Sequence, residues 1–270
     1  MSATAVKPDA PRGQRSVPDS VPAIVTAVAL LALWEGAVKV LEIPAFILPT
    51  PSSVAIRIVD DLATGVILPH LWTTFIEVAV GFVLAALLGV ALGTMVALVR
   101  ALEKTIYPIV LALQTVPKVA IAPLLIIWFG YGIHSKAVTA GLIAFFPIMV
   151  NVIVGLKTVD HRRVLLMQAL RAGPVKTYLK VRLPSMLPYL FAGLEVGIIF
   201  SVIGAIVGEF VGSSVGLGTL IIQRQATVDV AGVFSVLAYL SIMGLVLSLI
   251  IKAFAHRLTF WARSQEIVSP

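Results

Sequence analysis

The chain has 270 residues, of which 59% are hydrophobic and 12% are Asp, Glu, Lys or Arg, against about 25% charged in an ordinary globular domain. A mean hydropathy of +1.05 excludes a mostly water-facing protein and fits several spanning helices, each needing roughly 20 apolar residues, joined by short loops. The net charge of +7 does not in itself indicate nucleic acid, because basic residues of membrane proteins collect at cytoplasmic helix ends; zero cysteines and four scattered histidines exclude disulfides, thiol catalysis and a structural zinc site.

Residues 1–20, rich in Pro, Ser, Asp and Arg, lack the apolar core of a cleavable signal peptide and read as a disordered cytoplasmic tail. Apolar segments follow at 21–38, 75–99, 106–129, 137–156, 187–207 and 231–251. They predict an all-α, polytopic membrane protein with six transmembrane helices, a single transmembrane domain over 21–262 and a short cytoplasmic tail at 263–270. The third segment carries Pro108, Pro117, Pro123 and Lys118 and is predicted to be bent or broken. Between the first two segments, Leu48-Pro49-Thr50-Pro51-Ser52 opens a stretch with Val54, Ala55, Ile58 and Val59 on one helical side, which predicts a short interfacial helix.

Six spans put both termini on one side. Of the 20 Lys and Arg, Lys118 lies inside a span, Lys39, Arg57, Lys136 and Arg224 fall on one side, and the remainder gather with the termini. By the positive-inside rule the termini are cytoplasmic. The cations then account for the high pI through topology, lipid headgroups or a protein partner, with no role for nucleic acid.

The second span carries Gly81, Ala85, Gly89, Gly93 and Ala97 at four-residue spacing, and the fifth carries Gly193, Gly197, Ser201 and Ala205. Such stripes let another backbone approach closely or leave room for a solute path. The loop at 157–185 is far longer than a turn requires. Asp160 predicts the cap of a helix running through Val164 to Ala172, ended by Gly173, and Pro174 predicts the start of a second short helix that Pro184 stops. The apolar residues of these helices, among them Leu165, Leu166, Leu170, Val175 and Leu179, either pack on the bundle's own underside or form a docking knob.

Further blocks carry a resemblance. Met167-Gln168-Ala169-Leu170-Arg171-Ala172-Gly173, followed by Val181-Arg182-Leu183-Pro184, resembles the cytoplasmic loop motif of bacterial ABC importer permeases. Gln114-Thr115-Val116-Pro117-Lys118, Trp128-Phe129-Gly130-Tyr131-Gly132, Phe145-Phe146-Pro147 and Gly208-Glu209-Phe210-Val211-Gly212 with Gly216-Leu217-Gly218 resemble the nitrate, sulfonate and taurine permease family, with the nearest likeness to permeases for pyrimidine precursors or riboflavin. Two departures stand out: Arg171 occupies the place of the family's loop glycine, and the acidic residue that opens the family motif is missing.

The resemblance implies a type I ABC importer permease fold in the bacterial inner membrane. Its implied partners are a second copy of the chain, two cytoplasmic ATPase subunits and an extracytoplasmic solute-binding protein. ATP and Mg belong to the ATPase in this scheme, and the chain itself needs no cofactor and is no enzyme. The segment from Met167 to Gly173, with Leu183 and Pro184, is implied to couple to the ATPase. Gln114, Lys118, Glu77, Glu195 and Glu209 are the candidates for the solute pathway, and Gly81, Gly89, Gly93, Gly193 and Gly197 for helix packing. A proton-coupled carrier is the competing reading, with Glu35, Glu77 and Glu195 as its titratable groups. For Lys118 two readings stand open: it holds the broken helix by reaching an exposed carbonyl, or it lines the pathway and attracts a negatively charged or carbonyl-rich solute.

Overall fold

The computed structural model describes residues 20–261; apart from Ser20, the tails predicted at 1–20 and 263–270 lie outside that range. The described chain runs through α1 (Ser20–Val40), α2 (Pro51–Ala63), α3 (Ile67–Leu98), α4 (Arg100–Gln114), a 3-10 turn (Lys118–Ile121), α5 (Ala122–Phe129), α6 (Ile133–Lys157), α7 (His161–Ala169), α8 (Pro174–Thr177), a π turn (Tyr178–Arg182), α9 (Leu183–Gly212), α10 (Leu217–Ala226) and α11 (Val230–Leu258).

The expected count of six spans is corrected in part. Among the described residues four continuous stretches are long and apolar enough to cross a membrane: α3, α6, α8 to α9, and α11. A fifth is the pair formed by α4 and the segment Lys118–Phe129, bent by 89°. Helix α1 has 21 residues, the length of a span. The expected second span also begins late: α3 starts eight residues before Phe75, and its 32 residues give a length of about 48 Å at 1.5 Å per residue, longer than a hydrocarbon core of about 30 Å requires.

The predicted break in the third segment has a local cause. Pro117 has no amide proton to continue the ladder of α4, and its φ of −68° with ψ of 93° sends the chain into extended backbone. The 3-10 turn follows, and Pro123 then sits in the first turn of α5, where a missing N–H costs nothing. Gly130 ends α5 at φ +78°, a backbone setting that favours glycine.

Helix α6 is the centre of the bundle, held between α3 and α9. It is the most enclosed of the spans, with most of its apolar stretch buried, whereas the others bury well under half of theirs. Both glycine stripes face it. A Cβ at Gly81 would fall 2.5 Å from the Ala137 carbonyl oxygen, one at Gly89 3.0 Å from Ile148 Cγ2 and one at Gly93 2.9 Å from the Met149 carbonyl oxygen. On α9, a Cβ at Gly193 would meet Asn151 Cβ at 2.7 Å and one at Gly197 would meet Ile148 Cδ1 at 2.8 Å. Ile148, Met149, Val152 and Ile153 fill the space these glycines leave. Leu87, Leu88, Leu245 and Leu249 point outward and remain exposed, which suits a surface solvated by lipid chains.

The interfacial helix is found as α2. Thr50 caps it by accepting from the Ser53 amide, and Pro51 occupies its first turn. The faces differ from the expected ones, because Ile58 packs into the core while Val59 and Ile56 stay exposed. Asp61 turns inward and receives Arg224 through both nitrogens, at 2.9 and 2.5 Å, and the Ser235 hydroxyl at 2.7 Å. Arg57 bridges Asp60 and Asp229, both at 2.9 Å. These charges pin α2 to α10 and α11.

Candidate functional site

Three places hold most of the residues singled out in the sequence: the loop between α6 and α9, a cavity at the broken helix, and a buried acidic cluster at the far end of the bundle from that loop.

In the loop, Asp160 caps α7 as expected, accepting from the Arg162 amide at 2.9 Å. The helix stops at Ala169, three residues short of the expected end. The Ala172 amide bonds the Met167 carbonyl and the Arg171 amide bonds the Gln168 carbonyl, both at 2.9 Å, with Arg171 in the left-handed region at φ 52°. This pattern closes a helix with one left-handed residue, a place glycine normally takes. Gly173 does not end the helix: its φ of −66° and ψ of 165° are extended, and it precedes Pro174 as the cap of α8. The position matched to the family's loop glycine is thus the one that turns, although here it is arginine.

Pro184 does not stop the second helix either. The π turn lets the Leu183 amide reach the Tyr178 carbonyl, so the wider loop absorbs the missing proline N–H and the chain passes straight into α9 with Pro184 in its first turn. Val164 and Thr177 face inward, while Leu165, Leu166, Leu170, Val175 and Leu179 are 48–70% exposed. Gln168, Ala169, Arg171 and Gly173 are exposed beside them, Met167, Ala172, Leu183 and Pro184 half-buried. Packing on the bundle's own underside is therefore not where most of these apolar side chains go. Lys157 anchors the base of the loop to α4, at 2.9 Å from Glu103 and 4.5 Å from the centre of the Tyr107 ring.

The cavity has a volume of about 400 Å³ and is lined by Gln114, Lys118, Val119, Ile143, Phe146, Pro147, Phe200 and Ile203. Lys118 donates to the Gln114 carbonyl at 3.0 Å and stands 5.0 Å over the Phe146 ring. That carbonyl is free for a side chain because the break after α4 has removed its backbone partner. The bonded carbonyl and the cavity lining give each reading of Lys118 its own observation. One ammonium N–H goes to Gln114; the group has two more.

The three glutamates do not join this cavity. Glu195 pairs with Lys252 at 2.9 Å, with both side chains partly exposed. Glu77 and Glu209 are enclosed together at the opposite end, with Thr74 and Lys136. Glu209 accepts from the Thr74 hydroxyl and the Gly218 amide, both at 2.5 Å, and so holds the start of α10. His70 completes the same corner with its Nδ1 at 3.0 Å from the Gly216 amide nitrogen. Glu35, the remaining carrier candidate, is engaged by Lys39 at 2.7 Å and by the Ser52 amide and hydroxyl. His70 and Thr74 are not site candidates in the sequence, and Lys136 stands there only among the cations opposite the termini; the visible signal is Glu209 followed at short range by Gly216-Leu217-Gly218, whose Gly216 has φ +145° and lies against the Glu209 carboxyl.

Residues 85–260, which include the glycine-lined bundle, the broken helix and the loop, match the family described as binding-protein-dependent transport system inner membrane component. The chain belongs to this family. Over 236 residues it is 32% identical to the formylaminopyrimidine transport permease protein ThiX of Halalkalibacterium halodurans, covering 87% of this chain and 94% of the relative. It is 36% identical over 137 residues to the riboflavin transport system permease protein RibX of Chloroflexus aurantiacus, about half of each chain. Against the putative aliphatic sulfonates transport permease protein SsuC of Bacillus subtilis it is 27% identical over 88% of this chain and 86% of the relative. The fold matches the inward-facing MetNI methionine ABC transporter with a TM-score of 0.64 at 21% identity, covering 74% of this chain and 99% of the other. The protein is a multi-pass ABC importer permease of the nitrate, sulfonate and taurine type, and this family works with a binding protein and an ATPase.

Proposed function

We propose that two copies of this permease form the membrane pathway of an ATP-driven importer, with the loop at 157–185 in the cytoplasm. The observation that carries the reading is the row of exposed apolar side chains on α7 and α8, flanked by Arg162, Arg163, Lys176 and Lys180. A solvated connector has no use for such a surface, whereas an ATPase groove would cover it. Both termini then lie in the cytoplasm, and ATP and Mg are handled by the ATPase subunits, so this chain acts as a transport subunit and not an enzyme. Closure of the ATPase pair would pull on the loop, and α3, α6 and α9, packed closely along the glycine faces of α3 and α9, would rock as units.

The Lys118 cavity supports a pathway along the broken helix. Its walls are aromatic and aliphatic, with one cation, one amide and no carboxylate, which favours a small organic solute that is anionic or rich in carbonyl acceptors. Riboflavin, in the name of one similar permease, and the aliphatic sulfonates, in that of another, fall in that class. The test is to purify the permease with its ATPase and binding protein and measure ATPase stimulation across nitrate, sulfonates, pyrimidines and flavins. Stimulation by a ring solute is expected; stimulation by nitrate alone overturns the solute class. An Ala169→Asp variant tests the docking: a charge buried in the contact without a partner costs several kcal/mol, so the ATPase should dissociate while the permease stays in the membrane. Unchanged co-purification would remove the loop from the ATPase contact.

A further inference from the structure

Glu77 on α3 is fully enclosed, and neither of its carboxyl oxygens has a hydrogen-bond partner. It faces Glu209 on α9, whose oxygens are already taken by the Thr74 hydroxyl and by the Gly218 and Thr219 amides. Lys136 on α6 is the cation that acts on Glu77, but its ammonium donates to the Tyr131 carbonyl at 2.9 Å. His70 on α3 directs its Nδ1 to Gly216. Helix α10 presents backbone amides and Thr219 here, its Arg224 being held by Asp61. Two ionised carboxylates and one ammonium would leave a net negative charge in a dry interior, with two bare oxygens on Glu77.

Two carboxylates are both acceptors and cannot bond to each other, but a single proton placed between them turns the contact into a hydrogen bond and brings the cluster to neutrality. Glu209 is the one that stays ionised, because it sits at the N-terminus of α10 and receives that helix's free amides. A metal cation would serve the charge equally well but needs about six oxygen ligands. The unengaged oxygens here are the two of Glu77 and the Thr219 hydroxyl. Gly216 and Gly218 press on the Glu209 carboxyl closely enough that a Cβ on either would clash with it.

We propose that Glu77 is held as a neutral carboxylic acid that donates its proton to Glu209, so that the pair fastens the start of α10 to α3 and α9. The proton is a fixed part of the fold and does not travel with solute, which separates this site from the carrier role considered for Glu77 in the sequence. Infrared spectra of the full-length permease at neutral pH, with glutamate labelled by carbon-13, read the proton directly. The expected result is a protonated-carboxyl carbonyl band that shifts on labelling and is lost in Glu77→Gln, while Glu195→Gln leaves it in place. The Gln amide can donate as the acid does, so Glu77→Gln should keep the parent melting temperature and Glu77→Ala should lower it. Absence of the band in the parent, or its survival in Glu77→Gln, overturns the proposal. So does a melting temperature that rises with sodium or potassium in the parent but not in Glu77→Gln, which would assign a metal cation to the site. Should Glu77→Gln fail to fold, absence of the band in the labelled parent still overturns the proposal, and the loss of the band in Glu77→Ala takes the place of the Gln comparison.

Discussion

The Ala172 amide reaches back to the Met167 carbonyl at 2.9 Å, and this bond holds Arg171 in the left-handed region at the tip of the loop. A side chain in that conformation costs roughly 1 to 2 kcal/mol relative to glycine. The guanidinium is exposed, so packing within the chain does not offset the strain. Replacing Arg171→Gly should therefore stabilise the isolated permease by about 1 kcal/mol once glycine's greater freedom in the unfolded chain is subtracted. Thermal unfolding in detergent measures this. If the same variant weakens ATPase binding, the arginine is kept for the partner.

The glycine stripes make a second prediction. Gly89 and Gly93 face Ile148, Met149 and Val152 at distances that leave no room for a side chain. Close-packed interiors yield little, and each overpacked site typically costs 1 to 3 kcal/mol. Gly89→Leu with Gly93→Leu should lower the melting temperature clearly and reduce the yield of folded protein. Wild-type stability would place this face towards lipid.

The charged clamp on α2 gives the third. Arg224 is buried with Asp61 and also donates to the Gly232 carbonyl and the Ser235 hydroxyl, each at 2.7 Å. Removing one partner of a buried pair strands the other and costs about 3 to 5 kcal/mol, whereas replacing both by apolar residues of similar size is often neutral. Arg224→Met should detach α2 and become sensitive to proteolysis near Pro51. Adding Asp61→Leu should restore much of the loss, as a double-mutant cycle on melting temperature would report.

What was legible in the sequence was what a periodic pattern or a fixed backbone chemistry announces. The four-residue spacing of Gly81, Gly89 and Gly93 placed one face of α3, Asp160 marked the start of α7, and Pro117 marked the break. Where two local signals competed, the nearer one misled. Gly173 has the look of the helix stop because glycine tolerates the left-handed turn, but the hydrogen bonds from Arg171 and Ala172 put that turn at Arg171, two residues earlier. Pro184 looked like a terminator because an ordinary helix loses a bond there, and the π turn before it removes that loss. The cluster of Thr74, Glu77, Lys136 and Glu209 was out of reach for a different reason. Its members come from three helices separated by up to 135 positions, and no spacing rule links them.

The last prediction concerns Lys118. The cost of placing a cation in the bilayer centre is roughly 2.5 to 3.5 kcal/mol on insertion scales, so its environment must return that energy. The Gln114 carbonyl at 3.0 Å and the Phe146 ring at 5.0 Å supply part of it; an ammonium over an aromatic face gains about 0.5 to 2 kcal/mol, depending on how well it is desolvated. Among the described residues no carboxylate pairs with it, so two of its N–H groups remain available to the cavity. Lys118→Gln separates its two roles. If the lysine mainly holds the break, the substitution loosens the join between α4 and α5, and complex yield and basal ATPase activity fall for every solute. If it mainly serves the pathway, assembly and basal ATPase activity stay intact while solute-stimulated uptake drops. The free N–H groups favour the second outcome, and Lys118→Arg should then retain part of the uptake because it keeps the charge. Uptake and assembly both unchanged in Lys118→Gln would take the residue out of the pathway and leave the cavity without a charged contact for solute.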